Sequence, residues 1–521
     1  MSDGEPLGEA RPPADSEQAT ADKDDGAAGR NIAPTVDPGG SLGNRAARGA
    51  SVVMFGQGLR ILMQIASVAV LARLLTPIDY GLVATVLVIV GVGEIFRDFG
   101  LSTAAIQAER LDRHQQESLF WLNAAIGLGL ACVTFAAAPA VAAVLDQPAL
   151  GPITRVLALT FLINGMTAQY RADLNRRMKF GSLVAADVIA QAVAFAVAVV
   201  WAARGGGYWS LVAQQLAQVT VALALLVTMA RWVPGRPRRG ADIKPMVRYG
   251  RNLVATQLVG YANNNVDTLT IAIRFGPAPL GIYTRGFQLL MSPLNQLRAP
   301  TTTVALPVLA RLRNDTARAG DYIKRGQLAL GYTLVAGLAF AGGTCVPLVK
   351  VALGDRWSQV AAIFGILSVG GAFQTLSYVG NWVYLSRGLT ASLVRYTLIS
   401  LSIKIMAVLI GSKWGIVGVA AGYSIAPGIA WPLSLWWLSR LTELPVKELW
   451  LGAMRILGCA TGAGLTCLLV VQLCSGLNPL VQLTAGAATV AAVYLLAARI
   501  FRSIRSDFRA VALIAKGALQ R

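Results

Sequence analysis

Charge is scarce in this chain. Asp, Glu, Lys and Arg make up 14% of its 521 residues, against about 25% in an ordinary soluble domain. A soluble fold of this length needs several charged surfaces, and this composition does not supply them. Histidine is nearly missing, and His114 is the only one. That excludes a histidine-based zinc site, and a conventional Ser/His triad unless His114 serves it. The five cysteines, Cys132, Cys345, Cys459, Cys467 and Cys474, form no CxxC pair and fall in or beside apolar stretches. They read as small apolar helix residues, not as a disulfide framework or a metal site. There is no GxxxxGK[ST] loop and no HExxH motif, so neither an ATP engine of that kind nor a zinc protease is expected. Nothing in the pattern calls for a cofactor or a metal. The outer connections are short and lack paired carboxylates, which argues against an enzyme.

What is abundant is apolar sequence. Apolar residues reach 55%, Gly adds 53 more, and the mean hydropathy is +0.56. From Gly49 to Phe501, fourteen apolar stretches of about 20 residues follow one another, each long enough to cross ~30 Å of hydrocarbon. Backbone in lipid must bond to itself, and long runs without alternation exclude a barrel, so each stretch is expected to be a helix. The fold class is therefore an all-α polytopic membrane protein.

Residues 1–44 hold nine acids and three bases, and the chain as a whole carries +20. This acidic segment reads as a disordered tail. The remaining basic excess points to membrane topology and not to nucleic acid. Of the 46 bases, 34 fall on the termini and the even-numbered connections, and eight on the odd-numbered ones. That bias places both termini in the cytoplasm. The longest connection, RWVPGRPRRGADIKPMVRYGR over 231–251, separates six helices from eight. An internal repeat fits the same division. LARLLTPIDYGL (71–82) and IAIRFGPAPLGIY (271–283) align at an offset of 200, pairing Pro77 with Pro277, Gly81 with Gly281 and Gln57 with Gln257. The expected organisation is a tail at 1–44, a six-helix bundle at 45–230 and a basic linker at 231–251. A second six-helix bundle follows at 252–440, then two extra helices at 441–505 and a basic tail at 506–521.

Charge within the bilayer costs at least about 2.5–3.5 kcal/mol per residue at the centre, so each such residue needs a reason. Arg60 lies near the middle of the first stretch and Lys404 near the middle of the eleventh, neither with an acid within one turn. Glu94, Arg97 and Asp98 share one side of the second helix, so an internal ion pair is one reading and a cavity lining another. Arg298 lies in the eighth, where snorkelling to the inner face is an alternative. Asn263, Asn264, Asn265 and Asp267 interrupt the seventh. Deep cations on four helices, with amides beside them, point to a positively lined, hydrated cavity for an anionic, hydroxyl-rich ligand. Packing of helices through the Asn side chains is the competing reading.

The stretch NLVATQLVGYANNNVDTLTIAIRFGPAPLGIYTRGFQLLMSPLNQLRAPTTTVALPVLARL (252–312) resembles the seventh and eighth helices of bacterial polysaccharide exporters. It has the Asn-rich start before Asp267, the Gly-Pro-x-x-Leu-Gly-x-Tyr turn, and Pro293, Pro300 and Pro307. LARLLTPIDYGLVA (71–84) resembles the turn after the first helix of the same family. These are the Wzx-like oligosaccharide flippases, grouped with multidrug and toxin extruders in one exporter superfamily. The resemblance spans about residues 45–505 and implies a two-lobed fold around a cationic cavity. It further implies transport of an undecaprenyl-pyrophosphate-linked oligosaccharide between leaflets of the bacterial cytoplasmic membrane, with membrane lipids, a polysaccharide polymerase and other export proteins as partners. On that reading Arg60, Lys404, Arg97, Arg298, Asn263 and Asn264 contact the substrate. Asp267, with Glu94 second, couples transport to an ion gradient. A multidrug cation antiporter is the nearest alternative, an integral glycosyltransferase or polymerase a further one.

Overall fold

A computed structural model describes residues 42–98, 112–235, 244–313 and 315–519. The expected acidic tail up to residue 41 and the middle of the linker, 236–243, lie outside these. The described chain is helical, with no strand. Its first six long helices are α1 (Leu42–Leu74), α2 (Pro77–Asp98), α3 (Arg113–Val144), α4 (Leu150–Arg176), α5 (Phe180–Ala203) and α6 (Trp209–Ala230). After the linker come α7 (Lys244–Phe275), α8 (Pro277–Arg311), α9 (Thr316–Gly343) and the short α10 (Cys345–Leu353). They are followed by α11 (Val360–Ser386), α12 (Thr390–Gly411), α13 (Gly415–Leu441), α14 (Val446–Leu473), α15 (Pro479–Ile500) and α16 (Arg502–Leu519).

By length and hydropathy alone, eleven stretches among the described residues qualify as membrane spans. One of them, Thr390–Leu441, is two helices, α12 and α13, joined by a short 3-10 turn. Neither α7 nor α8 qualifies, because the first carries the Asn cluster and the second Arg285, Arg298 and three internal prolines. Both pack against helices that do qualify, and they complete the set of fourteen. The sequence did not anticipate α10 or α16. The latter docks through buried Asp507, whose carboxylate takes two hydrogen bonds from Arg455 at 3.0 and 3.2 Å and one from Tyr332 at 3.2 Å. Tyr332 sits in a π-turn, Gly331–Val335, that interrupts α9.

In the first bundle α3 packs along α4, and α5 along α6 and α1. Close approach at α5 follows from its sequence: Ala186, Ala190, Ala194, Ala198 and Ala202 recur every fourth residue and are all buried. Small side chains at one-turn spacing let backbones meet where lipid offers no hydrophobic drive. In the second bundle α11 packs on α8 and α13, and α12 on α13; α14 joins α9 to α15.

The bundles meet chiefly where α2 crosses α8. At this crossing the 200-residue repeat becomes reciprocal contact. A Cβ on Gly81 would overlap the Pro277 carbonyl, and one on Gly281 would overlap the Pro77 carbonyl. Each Pro-x-x-x-Gly turn thus seats its proline backbone on the glycine of its counterpart, as in a self-complementary two-fold interface.

Helix α1 runs from a near end, at the N-terminus, to a far end. At the far end the bundles are tied together. Trp357 Nε1 donates to the Ala72 carbonyl at 2.7 Å, and its ring meets Tyr80 edge-on at 5.5 Å. Arg73 donates to the Val351 carbonyl at 2.9 Å. One layer inward, the Arg285 guanidinium lies 3.8 Å over the Tyr80 ring.

Candidate functional site: a polar cavity between the bundles

A cavity of about 950 Å³ lies between the first bundle and α8. Along α1 its wall runs from Gln57 to Leu71, about 21 Å at 1.5 Å per residue. The lining is polar for a membrane interior, with four arginines (Arg60, Arg97, Arg171, Arg285), eight glutamines, Asn164 and Asn175. Among the described residues Asp187 is its only lining carboxylate.

The near half holds most of the charge. Arg60 Nη1 donates to Asp187 Oδ2 at 2.9 Å, and Arg171 Nη2 to Asp187 Oδ1 at 2.8 Å. One carboxylate between two guanidiniums leaves the group net positive. Arg97 donates to Glu94 one turn earlier on α2, and Asn164 donates to the other Glu94 oxygen at 2.8 Å. Amides run alongside these charges and beyond them. Gln57 donates to Gln296, Gln296 to Gln64 at 2.7 Å, and Gln64 to Ser292 at 2.8 Å, which stitches α1 to α8 across the bundle seam. Gln214 donates to Ser67 at 3.2 Å, and Gln191 to the Arg60 carbonyl at 3.3 Å. The far floor is Leu71, Tyr80 and Arg285, beneath the closure already described.

The structure divides the residues that the sequence had grouped in one lining. Arg60 and Arg97 face this cavity. Lys404, Arg298, Asn263 and Asn264 do not line it. Lys404 on α12 is buried; its ammonium donates to the Asn263 carbonyl at 2.7 Å and lies 4.3 Å from the centre of the Tyr423 ring. Asp267 on α7 is fully buried and interacts electrostatically with Lys404. Tyr283 donates to Asp267 Oδ2, while Oδ1 has no partner among the described residues. Arg298 is buried on α8, donates to Asn295 and to Gln374, and lies 5.5 Å from the Tyr378 ring centre. Asn264 is on the exposed side of α7. The division has a plain cause. A cation with no acid on its own helix looks free in sequence, but α7 brings Lys404 the Asn263 carbonyl from 141 positions away in the chain, and α13 adds the Tyr423 ring. Arg274, a candidate partner for Asp267 two turns along α7, instead donates to Ser412 at 2.6 Å.

The sequence reading missed Arg171, Asp187, Arg285 and the glutamines. A signal was present: Gln57 and Gln64 at i,i+7, and Gln214 and Gln218 at i,i+4, trace polar stripes on otherwise apolar helices. Both arginines lie at the ends of apolar stretches, Arg171 after the fourth and Arg285 in the first turns of the eighth, where a base reads as part of a connection.

Two apposed helical bundles, closed at one end over a polar cavity, define a class of membrane exporter folds. Solved structures share this fold: the lipid II flippase MurJ in an inward closed conformation, with a TM-score of 0.67 and 13% identity, covers 87% of this chain and 99% of that one. An inward-facing multidrug resistance MATE family transporter of the MOP superfamily matches with a TM-score of 0.57 and 14% identity, over 77% of this chain and 95% of its own. The chain belongs to the polysaccharide biosynthesis protein family, which matches residues 70–362, more than half its length. Among similar proteins, the lipopolysaccharide biosynthesis protein WzxC of Escherichia coli (strain K12) is 24% identical over 384 residues, 72% of this chain and 75% of that protein. The teichuronic acid biosynthesis protein TuaB of Bacillus subtilis (strain 168) is 25% identical over 57% of this chain and 62% of its own. The succinoglycan biosynthesis transport protein ExoT of Rhizobium meliloti (strain 1021) is 22% identical over 60% of this chain and 63% of its own.

Proposed function

We propose that this multi-pass membrane protein is a flippase for a pyrophosphate-linked oligosaccharide on an undecaprenyl-type lipid, or a related polysaccharide precursor. It carries this from the cytoplasmic to the outer leaflet of the bacterial cytoplasmic membrane by alternating access. Both termini and the near end face the cytoplasm, following the base distribution, and the far end faces outward.

The observation that carries the reading is the zoning of the cavity. Arg60, Arg97 and Arg171 lie toward the near end, at the depth where a lipid pyrophosphate enters from the cytoplasmic leaflet. Guanidiniums present several donors in a fixed fork suited to phosphate oxygens. Gln64 and Gln214 lie deeper than these three arginines, where sugar hydroxyls reach, and each amide both donates and accepts. No bond is made or broken, so no catalytic group is required and none is assigned. The far-end ties of Trp357 and Arg73 match the outward-closed member of an alternating-access cycle. Against a multidrug cation antiporter stands the lining itself: Asp187 is already paired twice, and the remaining charges are positive.

Asp267 is the proposed coupling group. Its unpartnered Oδ1 is a place for a proton, and Lys404 nearby disfavours a bound metal cation. Glu94 is a weaker candidate, since Arg97 and Asn164 already occupy it.

Deleting the gene and identifying the lipid-linked glycan that accumulates on the cytoplasmic leaflet tests the reading. No accumulation, with loss of resistance to an organic cation instead, would favour the antiporter.

A further inference from the structure

A second concavity opens at the near end of the C-terminal bundle and shares no lining residue with the central cavity. It measures about 510 Å³, and its wall brings together Arg313 after α8, Arg387 after α11 and Arg440 at the end of α13. Among the described residues none of these three arginines is in an ion pair. Glu443 lines the pocket too, so its charged groups leave an excess of positive charge. The neighbouring Asp315 is taken by Arg318, which it pairs with at 3.3 Å.

Two hydroxyls at the wall are already used. Ser439 donates to the Trp436 carbonyl at 2.6 Å, and Thr442 to the Leu438 carbonyl at 2.7 Å. Arg387 uses one N–H on the Arg313 carbonyl at 3.3 Å, which holds two connections together. A guanidinium has five N–H donors, so most remain for a ligand. Topology explains an excess of bases on this side of the membrane. It does not require three guanidiniums from separate connections to share one concavity, where they repel one another unless an anion sits between them.

The rim is apolar. Trp436 is 55% exposed and Leu441 42% exposed. The Arg440 guanidinium lies 5.5 Å from the Trp436 ring centre. An exposed Trp beside Arg at the end of a spanning helix is the pattern of a membrane–water interface. It offers a surface to acyl chains next to a pocket that suits a phosphate, which favours a lipid over a soluble anion.

We propose that Arg313, Arg387 and Arg440 form a site for the phosphate headgroup of an anionic membrane phospholipid, held against the C-terminal bundle on its cytoplasmic side. The site is separate from the transport cavity.

Purified protein in mixed micelles, offered phosphatidylglycerol and phosphatidylcholine and read by native mass spectrometry, tests this. Wild type should retain phosphatidylglycerol at least about ten-fold over phosphatidylcholine, because both offer a phosphate to the guanidiniums but the choline cation of the second is repelled by them. The triple variant R313Q/R387Q/R440Q should lose that preference while melting as wild type does in phosphatidylcholine alone. Arg60→Gln should keep the preference. If the triple variant is not monodisperse, R440Q, altered at an exposed position, should lower the preference about three-fold. Full retention of phosphatidylglycerol by the variants would overturn the proposal. So would its displacement by an equal concentration of inorganic phosphate, which would assign the pocket to a soluble anion.

Discussion

Replacing Lys404 by Met removes the ammonium that interacts with the Asp267 carboxylate, at a site where both groups are buried. Stripping one partner from a buried ion pair in contact costs about 3–5 kcal/mol. Here the two charged groups are not in direct contact, since no ion pair within 4.0 Å joins them. Tyr283 also continues to hold Asp267 Oδ2. About half of that cost, ~2 kcal/mol, is therefore expected for Lys404→Met. Asp267→Asn leaves the ammonium buried with only the Asn263 carbonyl and the Tyr423 ring, and a similar loss follows. The double variant removes both charges together and should recover most of the stability, so that the cycle shows a coupling of about 1–3 kcal/mol. Thermal stability in detergent, followed by the monodisperse fraction surviving a heating series, reads all four proteins. Additive losses in the double variant, or a Lys404→Met protein as stable as wild type, would refute the reasoning that these charges stabilise each other in the C-terminal bundle.

Other expectations follow from the same geometry. Arg60→Gln and Arg97→Gln should each lower export about 10–100-fold with membrane levels unchanged, the loss of one charge-assisted contact of about 1.5–3 kcal/mol, read by surface polysaccharide in complemented deletion cells. Gly81→Leu and Gly281→Leu should each abolish folded protein, read by monodispersity after extraction, because the Pro277 and Pro77 carbonyls occupy the space a side chain needs. Trp357→Ala removes a hydrogen bond to Ala72 and an aromatic contact, together about 1–3 kcal/mol. It should speed labelling of a cysteine at Gln64 by an impermeant thiol reagent on intact, otherwise cysteine-free cells about ten-fold, while unchanged labelling would mean that this contact does not hold the far end closed.

The fold class was legible because its cause is local. Twenty-residue apolar runs dictate helices in lipid whatever surrounds them, and the repeated Pro-x-x-x-Gly turn marked the reciprocal crossing of α2 and α8. Arg60 was legible as a cavity residue because a deep cation in an apolar run is costly wherever the run packs. Its partner Asp187 was not, since 127 positions separate them. Lys404 carried the same local signal as Arg60, yet its neighbours turn it into an interior packing group. Sequence shows that a buried charge needs a reason, while the helix arrangement decides whether the reason is water, a ligand or a counter-charge. The glutamine stripe is a weaker signal, because a neutral amide in an apolar helix also reads as a hydrogen-bonded packing contact. Helix α16 was hidden because its bases resemble a cytoplasmic tail, and only its inward set of Ile504, Asp507, Phe508 and Val511 shows a docked face.

The most direct test of the flippase reading is transfer of a fluorescent undecaprenyl-pyrophosphate oligosaccharide across liposomes that contain only the purified protein. Wild type should move the substrate to the opposite leaflet with no nucleotide present. Arg60→Gln and Arg97→Gln should slow that movement at least about ten-fold in liposomes carrying equal protein. Movement by wild type no faster than in protein-free liposomes, under imposed proton or sodium gradients of either direction, would contradict the assignment.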